Sequence, residues 1–369
     1  MPGLIIEMLL HLSYLCLLKQ VKMKRIIFVF AIGIIITASL SSCGYTKLAV
    51  LGFPKKEVKE LQYTAEPGTF LDPMAAVVVE VWAHPERNPV KDTARFMPKP
   101  PPMEWVVNET VPGENPVSVR IYKPKKTVAE YNIPVIVFYH GGGYIAGSVD
   151  EYDLFARKIA RDSRCIVVSV EYRLVPEFPY PAAVNDCYAA LEWVADNAHE
   201  WNGDPEKLVV SGESAGGGLA TVMTLMAHDK GGPDIDLQML WYPSTMVSDE
   251  ITDSRRYFTA MSGRDYLIPE SYLRNVLESY VPDSILWRSR YVSPVYAALN
   301  SELPEALIYT CQCDPLRDEG RIYADRLSEA GVPVTNTEVE GMVHAFMIIG
   351  NVFPQARDAF HRSGKFVRD

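Results

Sequence analysis

Cysteine is scarce in this sequence. Six occur in 369 residues, no pair is spaced Cys-x-x-Cys, and no histidine is spaced to complete a zinc site, so nothing points to a metal- or disulfide-stapled scaffold. Positive charge is also in deficit. The chain has 36 Lys and Arg against 46 Asp and Glu, a formal net charge of −10, which argues against nucleic acid as a partner. No segment repeats at a solenoid period. Long apolar runs are nearly absent as well: Ile26–Leu40 is almost unbroken, yet shorter than the roughly 20 residues a spanning helix needs. What is present is ordinary for a globular protein, 48% hydrophobic and 22% charged, long enough for one large α/β domain or two smaller ones with a sizeable core.

The apolar run has a recognisable setting. Met23-Lys24-Arg25 is a short basic start, Ile26–Leu40 the hydrophobic stretch, and Leu40-Ser41-Ser42-Cys43 a small-residue close, the order of a secretory signal. The close resembles a bacterial lipobox, which implies cleavage before Cys43 and lipidation of that cysteine. Residues 1–42 then form a signal peptide with a surplus N-terminus, Met23 being the expected start. An uncleaved membrane anchor is the alternative. Either way the body is expected outside the cytoplasm, attached to a membrane, and still acidic. Cys165, Cys187, Cys311 and Cys313 remain in the body. Cys165, Cys311 and Cys313 sit in apolar runs and read as buried thiols.

Residues 43–104 are of mixed character and close on Pro98-Lys99-Pro100-Pro101-Pro102, which reads as a linker. From residue 105 to the end, strands and helices alternate. Val117–Tyr122, Val135–Tyr139, Ile166–Val170, Leu208–Val210, Leu237–Trp241, Ala306–Tyr309 (extending to Cys313) and Val334–Val339 are strand-like. Tyr152–Arg161, Ala182–Asn197, Ala215–His228 and Glu319–Ala330 carry helical patterns. Apolar strands separated by helices predict an α/β fold, a mostly parallel sheet covered on both faces. The segment 247–290 breaks the rhythm. It is rich in Tyr, Arg and Asp, helical over Glu270–Tyr280, and expected to be a lid. Its Tyr257, Phe258, Tyr266 and Tyr272 could line a pocket or form the lid's own core.

Gly212-Glu213-Ser214-Ala215-Gly216 lies between a predicted strand and a predicted helix. The pattern G-x-S-x-G at such a turn is a nucleophile elbow. The chain reverses so sharply that a Cβ two residues either side of the serine would clash, and the hydroxyl is pushed outward. Alone the pentapeptide is weak evidence. His140-Gly141-Gly142-Gly143 follows another strand, where glycines let backbone N–H groups approach a developing oxyanion. Gly141-x-Gly143-x-x-Ala146, with Glu171 closing the next strand, also satisfies a dinucleotide fingerprint. That reading leaves Ser214, Asp314 and His344 without a role. After Ser214 the histidines are His228, His344 and His361. His228 lies several turns along the helix that begins at the serine, and His361 lies in a helix-like tail. His344 follows a strand in a loop, the address for a general base. Asp314 ends a strand and is the preferred orienting acid. Asp318 is the alternative, more simply read as a helix cap.

The sequence resembles the hormone-sensitive-lipase family of serine esterases, on the α/β-hydrolase fold. Four blocks carry the resemblance: His140-Gly141-Gly142-Gly143; Tyr172-Arg173-Leu174-Val175-Pro176-Glu177 with Pro179-Tyr180-Pro181-Ala182-Ala183; Gly212-Glu213-Ser214-Ala215-Gly216-Gly217; and Asp314-Pro315-Leu316-Arg317-Asp318-Glu319-Gly320. The likeness runs from about residue 105 onward. It implies Ser214 as nucleophile, Asp314 as acid and His344 as base, with the N–H groups of Gly142, Gly143 and Ala215 as oxyanion donors. It implies a helical lid built from N-terminal residues and the insertion, substrates that are esters of short or medium acyl chains, and no metal or organic cofactor. Tyr144 departs from the family's usual Trp or Phe, and Ala345 from its usual Gly. A ligand-binding protein that has lost catalysis is a second class of reading, disfavoured because every triad position is filled.

Overall fold

The computed structural model describes residues 55–84, 99–259, 266–348 and 353–369. The expected signal segment and Cys43 lie outside them. Among the described residues no helix is long and apolar enough to cross a membrane.

Among the described residues two helices come first, α1 (Lys55–Leu61) and α2 (Pro73–Ala83). Both fall within residues 43–104, the expected linker and lid segment. In α2 the Asp72 side chain accepts from the Met74 N–H at 2.8 Å, Pro73 occupies the first turn, and Val77, Val78, Val79 and Val81 are buried. A run of valines reads as strand from propensity, but the cap and tertiary burial override it.

An eight-stranded sheet follows. Its strands are β1 (Met103–Val111), β2 (Val117–Pro124), β3 (Ile133–Tyr139), β4 (Ile166–Glu171), β5 (Gly203–Glu213), β6 (Leu237–Trp241), β7 (Glu305–Cys313) and β8 (Val334–Val343), in spatial order β1-β2-β4-β3-β5-β6-β7-β8. β2 pairs antiparallel with β1 and β4, and all later pairs are parallel. β1 was not expected from the sequence and straddles the boundary drawn at residue 105. Its outer residues are mostly exposed, so it lacks the apolar alternation that marks a buried strand.

The remaining α-helices among the described residues are α3 (Asp153–Ser163), α4 (Ala182–Asn197), α5 (Ala215–Lys230), α6 (Asp253–Phe258), α7 (Glu270–Tyr280) and α8 (Arg317–Glu329), all between strands, and α9 (Pro354–Arg368) after β8. Alternation along β3 divides the core. Val135, Val137 and Tyr139 pack with α4, α5 and α8, while Ile136 and Phe138 pack with α2, α3 and α9. Helices on both faces of a parallel sheet follow from that double burial. All four body cysteines are buried thiols. The parallel strands point the same way, so Tyr139, Glu213, Trp241, Cys313 and Val343 finish along one edge, where open α/β sheets place their sites.

Candidate active site

β5 runs into α5 through Ser214, whose backbone is held at φ 54° and ψ −124°. That region is costly for a residue with a Cβ, by about 1–3 kcal/mol. The surroundings enforce it: the Ser214 N–H donates to the Trp241 carbonyl at 3.0 Å, and the Ser214 carbonyl accepts from Gly218 and Ser244. The flanking glycines are obligatory. A Cβ on Gly212 would lie 2.2 Å from the Gly216 backbone, and one on Gly216 2.0 Å from the Tyr139 carbonyl.

The His344 and Asp314 side chains meet at this turn. Asp314, fully buried after β7, accepts at Oδ2 from His344 Nδ1 at 2.7 Å and at Oδ1 from the Leu316 N–H at 2.8 Å. A carboxylate only accepts, so Nδ1 carries the proton and Nε2 is left to accept. Nε2 stands 2.8 Å from Ser214 Oγ, so the hydroxyl donates to it. Burial pulls the His344 imidazole toward its neutral form, but the Asp314 charge and hydrogen bond, with Glu213 behind, outweigh it and raise its pKa. Such a ring is a stronger base than free imidazole and can take the serine proton.

The other candidates lie elsewhere. Asp318 accepts from the Ser254 N–H and from Arg317 Nε. His228 bonds Asn300 near the far end of α5, and His361 is exposed on α9. Glu171 accepts from the Val149 N–H at 2.5 Å, and so ties the loop after the glycines to the end of β4. Ala345 adopts φ 60°, which gives a backbone reason for the glycine more usual there.

His140–Gly143 wraps over the elbow. The His140 ring stacks on Tyr172 with centroids 4.2 Å apart, its Nδ1 donates to the Gly141 carbonyl, and Tyr172 donates to the His140 carbonyl at 2.6 Å. Burial drives the His140 pKa down to about 4, so the ring is a neutral structural prop. Gly142 and Gly143 have φ of 108° and 64°. Their N–H groups have no backbone acceptor among the described residues. The N–H of Ala215, first residue of α5, is one a helix leaves unpaired. Among the described residues no group of three or more His, Cys, Asp or Glu could hold a metal ion.

Two features of the site leave no sign of their role in the sequence. Glu213 is fully buried beside the serine and accepts from Tyr152 at 2.6 Å. A Cβ on Gly141 would fall 1.6 Å from its Oε1, so this carboxyl braces the glycine loop. Arg317, buried in α8, grips Glu66 of the N-terminal segment through both terminal nitrogens. A buried Arg needs such partners, but its sequence says nothing of where they come from. Of the aromatics in the insertion after β6, Phe258 and Tyr266 are buried against each other, centroids 5.1 Å apart, with Tyr257 on Phe258. Tyr272 instead reaches the glycine loop, and Tyr144 stacks face to face on Tyr280 at 3.7 Å.

The chain is also similar to known proteins over most of its length. Residues 136–348 match a family described as alpha/beta hydrolase fold. The chain is 40% identical over 253 residues to the carboxylesterase NlhH of Mycobacterium tuberculosis, covering 68% of this chain and 77% of that one. It is 33% identical over 314 residues to the esterase LipI of the same organism, covering 82% and 96%. The structure of a hyperthermophilic esterase from Pyrobaculum calidifontis superposes with a TM-score of 0.70 at 31% identity, over 89% of this chain and 98% of that one.

Proposed function

Because the chain belongs to the α/β-hydrolase-fold esterases, we propose that it is a carboxylesterase working through a Ser214-His344-Asp314 triad, in the hormone-sensitive-lipase branch marked by its four sequence blocks. One observation carries the reading: an unbroken hydrogen-bonded line from Ser214 Oγ through both nitrogens of His344 to buried Asp314, set on a strained strand-to-helix turn.

Ser214 Oγ attacks the ester carbonyl while its proton passes to His344 Nε2. The carbonyl oxygen becomes an oxyanion, received by the N–H groups of Gly142, Gly143 and Ala215, each such donor being worth about 3–4 kcal/mol. Collapse breaks the C–O bond to the alcohol, which leaves with the proton from His344. A water, deprotonated by the same ring, then releases the acid and frees Ser214 Oγ. Asp314 holds the tautomer and stabilises the charged imidazole. No step requires a metal or organic cofactor.

The preferred substrates are esters of short or medium acyl chains. The support is steric: Tyr144 stacks on Tyr280, and its hydroxyl lies 2.9 Å from where a Cβ would be on Gly218, the residue one helical turn on from Ser214. A series of p-nitrophenyl esters from acetate to palmitate tests this. Turnover should fall steeply beyond octanoate, and Ser214→Ala should lose about 10⁶-fold in kcat. Undiminished palmitate turnover would contradict the acyl range, and an active Ser214→Ala protein would contradict the nucleophile.

The proposed site of action is outside the bacterial cytoplasm, on a membrane, tethered by a lipid on Cys43. The support is the ordered sequence of basic start, apolar run and Leu40-Ser41-Ser42-Cys43. Cys43→Ala should lose lipid labelling. An acyl label that persists in the variant would remove the proposal.

A further inference from the structure

We propose that Tyr272, carried in by the lid insertion, is a positioning residue that aims and strengthens one oxyanion donor, the N–H of Gly143. The inference rests on the esterase reading above. Gly142 contributes the C=O and Gly143 the N–H of a single peptide unit, and in a trans peptide the two point in opposite directions. The Tyr272 hydroxyl donates to the Gly142 carbonyl at 3.1 Å. A donor on the carbonyl end polarises the amide and makes the N–H at the other end a better donor, the cooperativity of chained hydrogen bonds. The same bond restrains rotation of the peptide plane, which matters where two successive glycines at φ 108° and 64° leave the backbone without side-chain restraint.

The Gly142 carbonyl also accepts from the Ile145 and Ala146 N–H groups at 3.2 and 3.1 Å. Those bonds belong to the loop's own turn, whereas Tyr272 lies 130 residues away in sequence and ties the loop to α7. The contact is close. A Cβ on Gly143 would fall 2.3 Å from the Tyr272 hydroxyl and 3.0 Å from Val276, one helical turn on. The glycines thus admit both the substrate oxygen and the lid helix. Burial pushes the Tyr272 pKa up, so the hydroxyl keeps its proton and remains a donor across the working range of a histidine base. Seating α7 and completing the oxyanion site are then one event.

Tyr272→Phe removes the hydroxyl and keeps the ring. With p-nitrophenyl acetate, kcat should fall about five- to tenfold, less than the hundredfold or more lost when a direct donor is removed. KM and the melting temperature should be unchanged, and so should the acid limb of the pH profile, because His344 is untouched. Affinity for a trifluoromethyl ketone, which forms the oxyanion adduct, should weaken by the same factor as kcat. Unchanged kcat would overturn the proposal, and so would a fall matched by changes in KM and melting temperature, which would mean packing alone. A wild-type protein without ester turnover would instead overturn the esterase reading itself.

Discussion

Glu319 shows how a single residue near the triad can set a pH response. It lies in the first turn of α8, with Oε1 accepting from the Thr245 N–H at 3.0 Å. Burial raises its carboxyl from an ordinary 4.5 to about 8, with Asp314 adding to the rise and the Thr245 N–H opposing it. The folded protein therefore keeps this proton at neutral pH, while the unfolded chain releases it near 4.5. Wherever the folded state binds more protons, stability falls as pH rises. The loss begins near pH 4.5 and runs up to about pH 8. Glu319→Gln keeps an acceptor for Thr245 and cannot titrate. Thermal melts from pH 5 to 8 should show the native protein losing melting temperature faster than the variant, the His344 contribution being common to both. Parallel decline of the two would contradict the assignment.

Legibility in the sequence also differed residue by residue. Ser214, Asp314 and His344 stood out because the elbow, a strand end before Pro315 and elimination among three histidines are local signals. Glu213 and Tyr272 did not. Each acts through a partner more than 60 residues away, Glu213 on Tyr152 and Tyr272 on Gly142, and no local pattern encodes such a contact. The strain at Ala345 is legible only in the backbone, where φ is 60°.

Among elements, the parallel strands and the helices between them were legible because both faces of the central sheet are buried and β3, β4, β6 and the middles of β5 and β7 are largely apolar. β1 and α2 were hidden, one by its exposed edge position and the other by a strand-like run of valines in a capped helix. The segment holding α1 and α2 is fastened to the sheet edge at two points. Asp72 donates from its backbone N–H to the Gly341 carbonyl at 2.9 Å, three residues before His344. Arg317 grips Glu66 and also binds Asp318 and the Gln312 carbonyl. Arg317→Met would leave the Glu66 carboxylate without its cation and Asp318 with Arg321 alone, at a cost of about 3 kcal/mol. The expected result is a lower melting temperature and faster proteolysis between residues 55 and 72. A variant as protease-resistant as the native protein would show that the ion pair does not hold the segment.

At the scale of the whole molecule, the topology explains why residues from 30 positions apart (Asp314 and His344) to 204 apart (His140 and His344) share a site. Parallel strands carry the His140 loop, the elbow, the Asp314 loop and the His344 loop to one edge, and the insertion after β6 folds α7 down onto them. The two helical layers hold that edge rigid, as preorganised donors require. The central claim is that Ser214 is an activated nucleophile served by His344. A fluorophosphonate probe followed by peptide mass mapping tests it most directly. The account predicts one probe per chain, on Ser214, with labelling abolished in Ser214→Ala and strongly slowed in His344→Ala. Labelling at another serine, or undiminished labelling of Ser214→Ala, would contradict it.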